Sequence, residues 1–274
     1  TRTYDKRHEQ IADLPWSTEE INERLEQFKK LSDRVEKLYA TVPSNRKDAY
    51  FEMIQYPVQA SNEMNKKMLY AQFARHTPSD SASLWKKSDA AYDSIVSLTR
   101  RFNSLLDGKW NHIISTAPRG LIVFDKVKRT ASSTALVSSP APLQLWNGTE
   151  HDAVTGQHTV IDGLGHSGKA IYLGKGGTVE YEYRNFRKDS LTVEVCLVPT
   201  HAVEGGKLRF AVSTDDREPQ VFDCETAEYS EEWKVNILRA QAVKTARFPS
   251  GSRKGRIKIT ALDEGVVIDQ IRLR

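Results

Sequence analysis

Between residues 17 and 40, Ile21, Leu25, Phe28, Leu31, Val35 and Leu38 recur at steps of three and four, the spacing that lines one face of a helix. Ser17 and Glu20 stand as a capping-box pair at its start, each side chain placed to serve the other's backbone. A second set, Phe51, Ile54, Val58, Met68 and Leu69, predicts a helix over residues 45–74. Pro57 lies inside it and is expected to kink or break it, because its ring crowds the carbonyl four residues back and its nitrogen donates no hydrogen bond. In the third segment Leu84, Ser88, Ala91, Ile95, Leu98, Phe102 and Leu105 form an unbroken four-three repeat, flanked by Trp85 and Tyr92, with Gly108 as the stop signal. Three antiparallel helices of about 36 to 40 Å, at ~1.5 Å per residue, are therefore expected to pack as a bundle.

The pattern then changes period. Residues 128–143 are mostly small and polar and close on Pro140 and Pro142, so they read as a boundary. Beyond them apolar residues alternate with polar ones: Leu191, Val193, Val195 and Leu197, then Leu208, Phe210 and Val212, then Ile257 and Ile259. Glycine- and proline-rich turns separate these runs, and about eight short strands spaced this way predict an antiparallel β-sandwich of jelly-roll or immunoglobulin-like type. The expected organisation is a helical bundle at 1–128, a linker at 129–143 and a sandwich at 144–274, a multidomain α plus β protein.

Composition narrows the function classes. With 274 residues the chain has room for two cores, and 39% hydrophobic with 28% charged residues is a soluble globular balance. No stretch approaches the ~20 apolar residues of a membrane span, so none is expected. The net charge of +4 arises from 40 basic and 36 acidic side chains mixed along the chain, which gives no reason to expect nucleic acid as a partner. Cys196 lies inside a strand pattern, and both it and Cys224 are expected as free thiols. The chain begins at Thr1 with no signal-type apolar segment after it, so targeting information is expected upstream.

Candidate chemistry is sparse. The seven histidines form no pair at metal-ligand spacing and there is no Cys-x-x-Cys, so neither a metal site nor a cofactor is expected. His151, His158 and His166 share a stretch with Asp152 and Asp162 that reads as a solvated loop or a polar pocket. Glycoside hydrolysis requires two carboxyl groups about 5 to 9.5 Å apart. Asp215 and Asp216 precede Pro219 at a predicted turn, where closing the backbone is their expected task. The glycines of Gly163-Leu164-Gly165-His166-Ser167-Gly168 precede a strand and lack the lysine and helix of a phosphate loop, so they are read as a bend. Trp146 and Trp233 are candidate sugar-stacking rings or core residues.

Two stretches resemble a known family. The first is Tyr50-Phe51-Glu52-Met53-Ile54-Gln55-Tyr56-Pro57-Val58-Gln59-Ala60, followed by Gly108-Lys109-Trp110-Asn111-His112. The second begins at Ile161-Asp162-Gly163-Leu164-Gly165-His166-Ser167-Gly168 and continues through Val179-Glu180-Tyr181, Leu208 to Asp216, Pro219-Gln220, Trp233 and Gly265-Val266-Val267-Ile268. Together they are similar to the C-terminal half of glycoside hydrolase family 115, whose members remove glucuronic acid or its methyl ether from xylan or related polysaccharides. The similarity runs from about residue 45 to residue 274. It departs from the family after His112, where a polar run with His, Gly-Tyr and Trp is replaced by Pro118, Gly120-Leu121 and Phe124.

The resemblance implies a secreted or periplasmic α-glucuronidase whose catalytic groups sit on an upstream barrel, and nothing in this chain has the alternating strand and helix pattern of a barrel. The first reading is thus a non-catalytic accessory region, with that barrel, a plant or microbial polysaccharide and a second copy of the chain as expected partners. Lys109, Trp110 and His112 are the candidate surface toward the barrel, and Trp146, His166 and Trp233 the candidate substrate-facing residues of the sandwich. A second reading is a free-standing carbohydrate-binding module with a helical spacer. A third is a self-sufficient hydrolase using Asp162, Asp215 or Asp216.

Overall fold

The computed structural model describes residues 11–274 apart from 133, 185, 187, 188, 216, 225, 250 and 251. The chain divides into two compact units between Pro140 and Ala141. The first is a helical bundle and the second a two-sheet antiparallel β-sandwich.

In the bundle, α1 runs over Thr18–Thr41. The Ser17 hydroxyl accepts from the Glu20 N–H at 3.2 Å while the Glu20 carboxylate accepts from the Ser17 N–H at 2.7 Å, so the reciprocal cap forms. After a short α2 at Lys47–Tyr50, one π-helical turn over Phe51–Gln55 leads into α3, Tyr56–His76. The helix is therefore not broken at Pro57. The wider turn ahead of the proline places Pro57 at the start of α3, where its missing N–H removes no bond that α3 requires. A four-residue connection, Thr77 to Asp80, leads to α4, Ser81–Gly108, and α3 packs against both α1 and α4.

The apolar stripe read for α1 is only partly inside. Ile21 and Val35 are buried, but Leu31 and Leu38 are 43% and 47% exposed, since among the described helices α1 packs chiefly on α3. Helix α3 and the π-turn before it reverse the usual rule, for Gln55 in the turn and Asn62, Lys67, Gln72 and Arg75 in the helix are all buried. Each makes at least one side-chain hydrogen bond. Lys67 Nζ donates to the carbonyls of Val123 at 2.7 Å and Asp125 at 2.9 Å, and Gln72 exchanges two bonds with the backbone of Leu14.

These bonds hold later and earlier chain onto the helices. Ser132 N–H donates to the Arg75 carbonyl, Thr18 N–H to the Val137 carbonyl, and Ser138 and Ser139 both donate to the Glu19 carboxylate. Those last two donors pull the Glu19 pKa below the ordinary carboxylate range. Ser132 and residues 134–139, within the segment read as a linker, are thus laid along the bundle as a strap.

The sandwich contains eleven strands among the described residues. One sheet holds β1 (Gln144–Asn147), β3 (His158–Asp162), β4 (Lys169–Leu173), β6 (Ser190–Leu197), β9 (Ala242–Pro249) and β11 (Val266–Leu273), in the order β3-β4-β11-β6-β9 with β1 also on β11. The other runs β2-β5-β10-β7-β8, where β2 is Ala153–Thr155, β5 Thr178–Tyr183, β7 Arg209–Thr214, β8 Gln220–Asp223 and β10 Gly255–Ala261. The alternating residues of β6, Leu191, Val193, Val195 and Leu197, meet Phe210, Val212, Ile257 and Ile259 of the facing sheet in one core. Helix α5, Glu231–Arg239, interrupts the strands; Ser230 caps it through the Trp233 N–H at 3.1 Å.

Candidate functional site

The two stretches that carry the resemblance fold into two different kinds of feature. Ile161 to Gly168 closes the β3–β4 hairpin, with Gly163 N–H bonded to the Gly168 carbonyl at 2.7 Å. Its purpose lies at Asp269, which sits fully buried at a bulge in β11, between the part that pairs with β4 and the part that pairs with β1. The Asp269 carboxylate accepts from the His166 N–H at 2.9 Å and the Gln241 amide at 2.7 Å, and its carbonyl accepts from the Gly148 N–H at 2.6 Å. Gly165 has φ +80°, and a Cβ there would fall 2.2 Å from Asp269 Oδ1, so glycine is the residue that lets the loop reach the carboxylate. His166 acts through its backbone, while its ring lies 3.4 Å from the Arg239 carbonyl.

The other candidates in the sandwich have structural surroundings. Trp146 is half-buried against the core, its ring 6.2 Å from Tyr181. Trp233 lines a narrow crevice with Leu197, Leu208 and Cys224 and packs against Tyr229 at 5.8 Å. Asp215 accepts from the Arg256 N–H at 2.9 Å and from the Tyr183 hydroxyl at 3.3 Å, so its oxygens are taken. Asp162 is exposed and 3.4 Å from Lys169. Asp216 lies outside the described residues. His151 is half-buried, and His158 is exposed with Nδ1 2.9 Å from the Gly156 carbonyl. Asp152 accepts from the Glu182 N–H at 2.6 Å. Cys196 and Cys224 are free and buried, and burial pushes both thiols up to about 12, which keeps them protonated and unreactive at neutral pH.

The Gly108 to His112 stretch behaves differently. Regular helical geometry ends before Leu105, and Leu106 and Asp107 then take left-handed backbone angles, φ 50° and 54°, ahead of Gly108 at 82°. His112 is left-handed too, at φ 67°. Each such non-glycine residue costs roughly 1–2 kcal/mol. Trp110 turns inward onto the cluster of Phe51, Phe102 and Leu105, with Lys109 Nζ 4.6 Å from its ring, and its indole N–H is buried with no acceptor among the described residues. His112 turns the other way.

Between α4 and this loop the chain forms an open groove of about 690 Å³ with a mixed lining that includes Val96, Arg100, Asn103, Asp107, His112 and Ile114. Asn103 holds the groove together by donating to the Ile114 carbonyl at 2.9 Å. No periodicity argument finds this groove, because it depends on the left-handed turn at Leu106 and Asp107; His112 is the member that the sequence singled out. Among the described residues no group of three or more His, Cys, Asp or Glu is arranged to hold a metal ion, and no helix is long and apolar enough to cross a membrane.

Comparison with known proteins agrees with the two-part architecture. The sequence model of the glycosyl hydrolase family 115 C-terminal domain matches residues 149–274. A solved structure described as a family GH115 4-O-methyl-α-glucuronidase, BtGH115A, with specificity for decorated arabinogalactans, is 45% identical with a TM-score of 0.83. The match covers 97% of this chain and 34% of that one, so the chain spans about a third of the length of this relative. The C-terminal family 6 carbohydrate-binding module of a laminarinase from Zobellia galactanivorans, 10% identical at a TM-score of 0.35, covers 47% of this chain and 97% of its own. That likeness is too slight to carry an argument. No curated protein matches the chain. The helices, the sandwich and the similarity across both together place this chain in glycoside hydrolase family 115, as a C-terminal region of helical bundle followed by β-sandwich.

Proposed function

We propose that the chain is a non-catalytic accessory region of a secreted, polysaccharide-degrading α-glucuronidase. In this reading the bundle buttresses an upstream catalytic barrel, and the sandwich shapes the edge of the cleft or a contact between two copies. The observation that carries the proposal is the extent of the match: nearly the whole chain aligns with one third of a family 115 glucuronidase. The state of the carboxylates supports it. Asp215, Asp263 and Asp269 are each occupied by backbone N–H groups or by arginine and glutamine, whereas a general acid needs a site that keeps it protonated near neutral pH.

The surface toward the barrel is assigned to Lys109 and His112, with Trp110 as the inward anchor of the same loop. Mixing the chain with a separately produced family 115 barrel segment tests this. The expected result is co-elution and a higher kcat/KM on a glucuronate-capped oligosaccharide, both weakened by joint replacement of Lys109 and His112 with alanine. Separate elution with unchanged kcat/KM overturns the proposal.

A further inference from the structure

Among the described residues the strands at the sheet edges are β1, β2, β3, β8 and β9, and all but β3 are short or blocked. Strand β2 has only three residues. In β1 both peptide groups of Asn147 are bonded to Glu150, whose carboxylate accepts from the Asn147 N–H at 2.8 Å and whose N–H donates to the Asn147 carbonyl at 2.9 Å. Strands β8 and β9 block each other, since the Gln220 amide donates to the Arg247 carbonyl at 2.6 Å and accepts from the Arg247 N–H at 3.3 Å. Pro219 precedes β8, and α5 packs on β9. Such devices keep an edge from pairing with another chain, and β3 has none of them. Its orientation follows from its two ends. The Gly174 N–H donates to the Gln157 carbonyl at 2.9 Å and the Gly163 N–H to the Gly168 carbonyl at 2.7 Å, both in the register that joins β3 to β4. Antiparallel peptide groups alternate in direction, so residues 157, 159, 161 and 163 bond toward β4, while His158, Val160 and Asp162 turn their N–H and carbonyl groups to the open side. The side chains of these three share the face of Ile171 and Leu173, which is the core side of β4. Val160 is nevertheless 46% exposed, an apolar residue on the inner face of an uncovered edge.

We propose that β3 pairs antiparallel with β3 of a second copy of the chain, about a two-fold axis at Val160. The strand is complementary to itself in that register. Val160 meets Val160, and His158 meets Asp162 of the second copy in both directions, as a symmetric contact requires. The three residues that face each other are the three whose peptide groups are open, so each finds a donor and an acceptor. His158 Nδ1 already lies 2.9 Å from the Gly156 carbonyl, which leaves Nε2 of the protonated ring for the opposing carboxylate. Asp162 is 3.4 Å from Lys169 through Oδ1, which leaves Oδ2. Sliding the register by two residues sets His158 against Val160 and leaves Asp162 without a charged neighbour across the pair, so the centred register is the one favoured. Five residues on each side make a patch smaller than the ~1,200 Å² of a stable interface, so the dimer is expected to be weak and reversible. The pairing rests on the accessory reading above for its purpose, a contact between copies, and on the strand alone for its geometry.

Analytical ultracentrifugation of the 274-residue chain between about 1 and 300 µM tests the pairing, with a monomer–dimer equilibrium expected inside that range. Val160→Pro removes the two N–H donors at the axis without taking a bond from the β3–β4 ladder, and is expected to leave a monomer at every concentration with an unchanged melting midpoint. His158→Glu sets carboxylates opposite one another twice and is expected to weaken association by about three-fold or more; adding Asp162→Asn to it is expected to restore most of the loss. This second pair of variants reads the register without a proline. A wild-type chain that stays monomeric throughout overturns the proposal and leaves the edge to an extended segment of another protein. A dimer that survives both Val160→Pro and His158→Glu overturns it too, by placing the contact elsewhere. Failure to dimerise leaves the barrel contact standing, and failure to co-elute with the barrel segment leaves the strand pairing standing.

Discussion

A single buried carboxylate explains more of the sandwich's family pattern than any surface residue does. Asp269 ties the β3–β4 loop, the strand entering at Gln241 and the turn at Gly148 to one bulge. Gly165→Ala is therefore expected to destabilise the sandwich by at least about 2 kcal/mol, since the new methyl meets the carboxylate and the backbone must leave a left-handed angle. Urea unfolding checks it, and a change below about 0.5 kcal/mol contradicts this account of the loop. Lys67 offers a pH test. Burial drives its pKa down from 10.5 to about 8, against a smaller opposing pull from Asp125. Between those two values the unfolded chain holds more protons than the folded one, so Lys67 makes stability rise as pH increases from about 8 to 10.5. The stability gap between wild type and Lys67→Met should widen by about 1–3 kcal/mol over that window, as read by denaturant melts at several pH values. A gap that stays flat contradicts the burial. None of these roles is visible in the sequence, because a periodicity argument treats lysine, glutamine and arginine as surface residues and does not foresee which carbonyls will meet them.

At the scale of elements, strands were the most legible part of the chain. A period of two with one buried face is satisfied residue by residue by β5 and β10, while β6 and β7 also bury Cys196 and Ala211 on the opposite face. Helix α5 breaks the period-two pattern of the strand-rich half, and its one local signal in the sequence is Ser230 followed by Glu231 and Glu232, a helix-start combination. The stripe on α1 misled at Leu31 and Leu38 because spacing identifies a face without saying how much of it a neighbour covers. Pro57 gives the element-scale prediction. A proline in a helix interior costs about 3 kcal/mol, but here the π-turn over Phe51–Gln55 already absorbs it. Pro57→Ala should accordingly change bundle stability by less than about 1 kcal/mol in a urea melt, and a gain near 3 kcal/mol would show that the proline is strained after all.

For the whole molecule, the switch in apolar spacing foretold a bundle and then a sandwich, and the two compact units have that order. The strap formed by Ser132 and residues 134–139 was hidden, because small polar residues look the same whether they span open solvent or lie along a helix; their bonds to Arg75, Thr18 and Glu19 are made by backbone groups as much as by side chains. The candidate groove was half visible, through His112, and half dependent on a turn that no motif announces. Kinship with family 115 was legible in the ordered matches. The most direct measurement is release of glucuronate from a glucuronate-capped oligosaccharide by the purified 274-residue chain. The account predicts none above the rate of buffer alone; turnover that a single carboxylate substitution abolishes would contradict it.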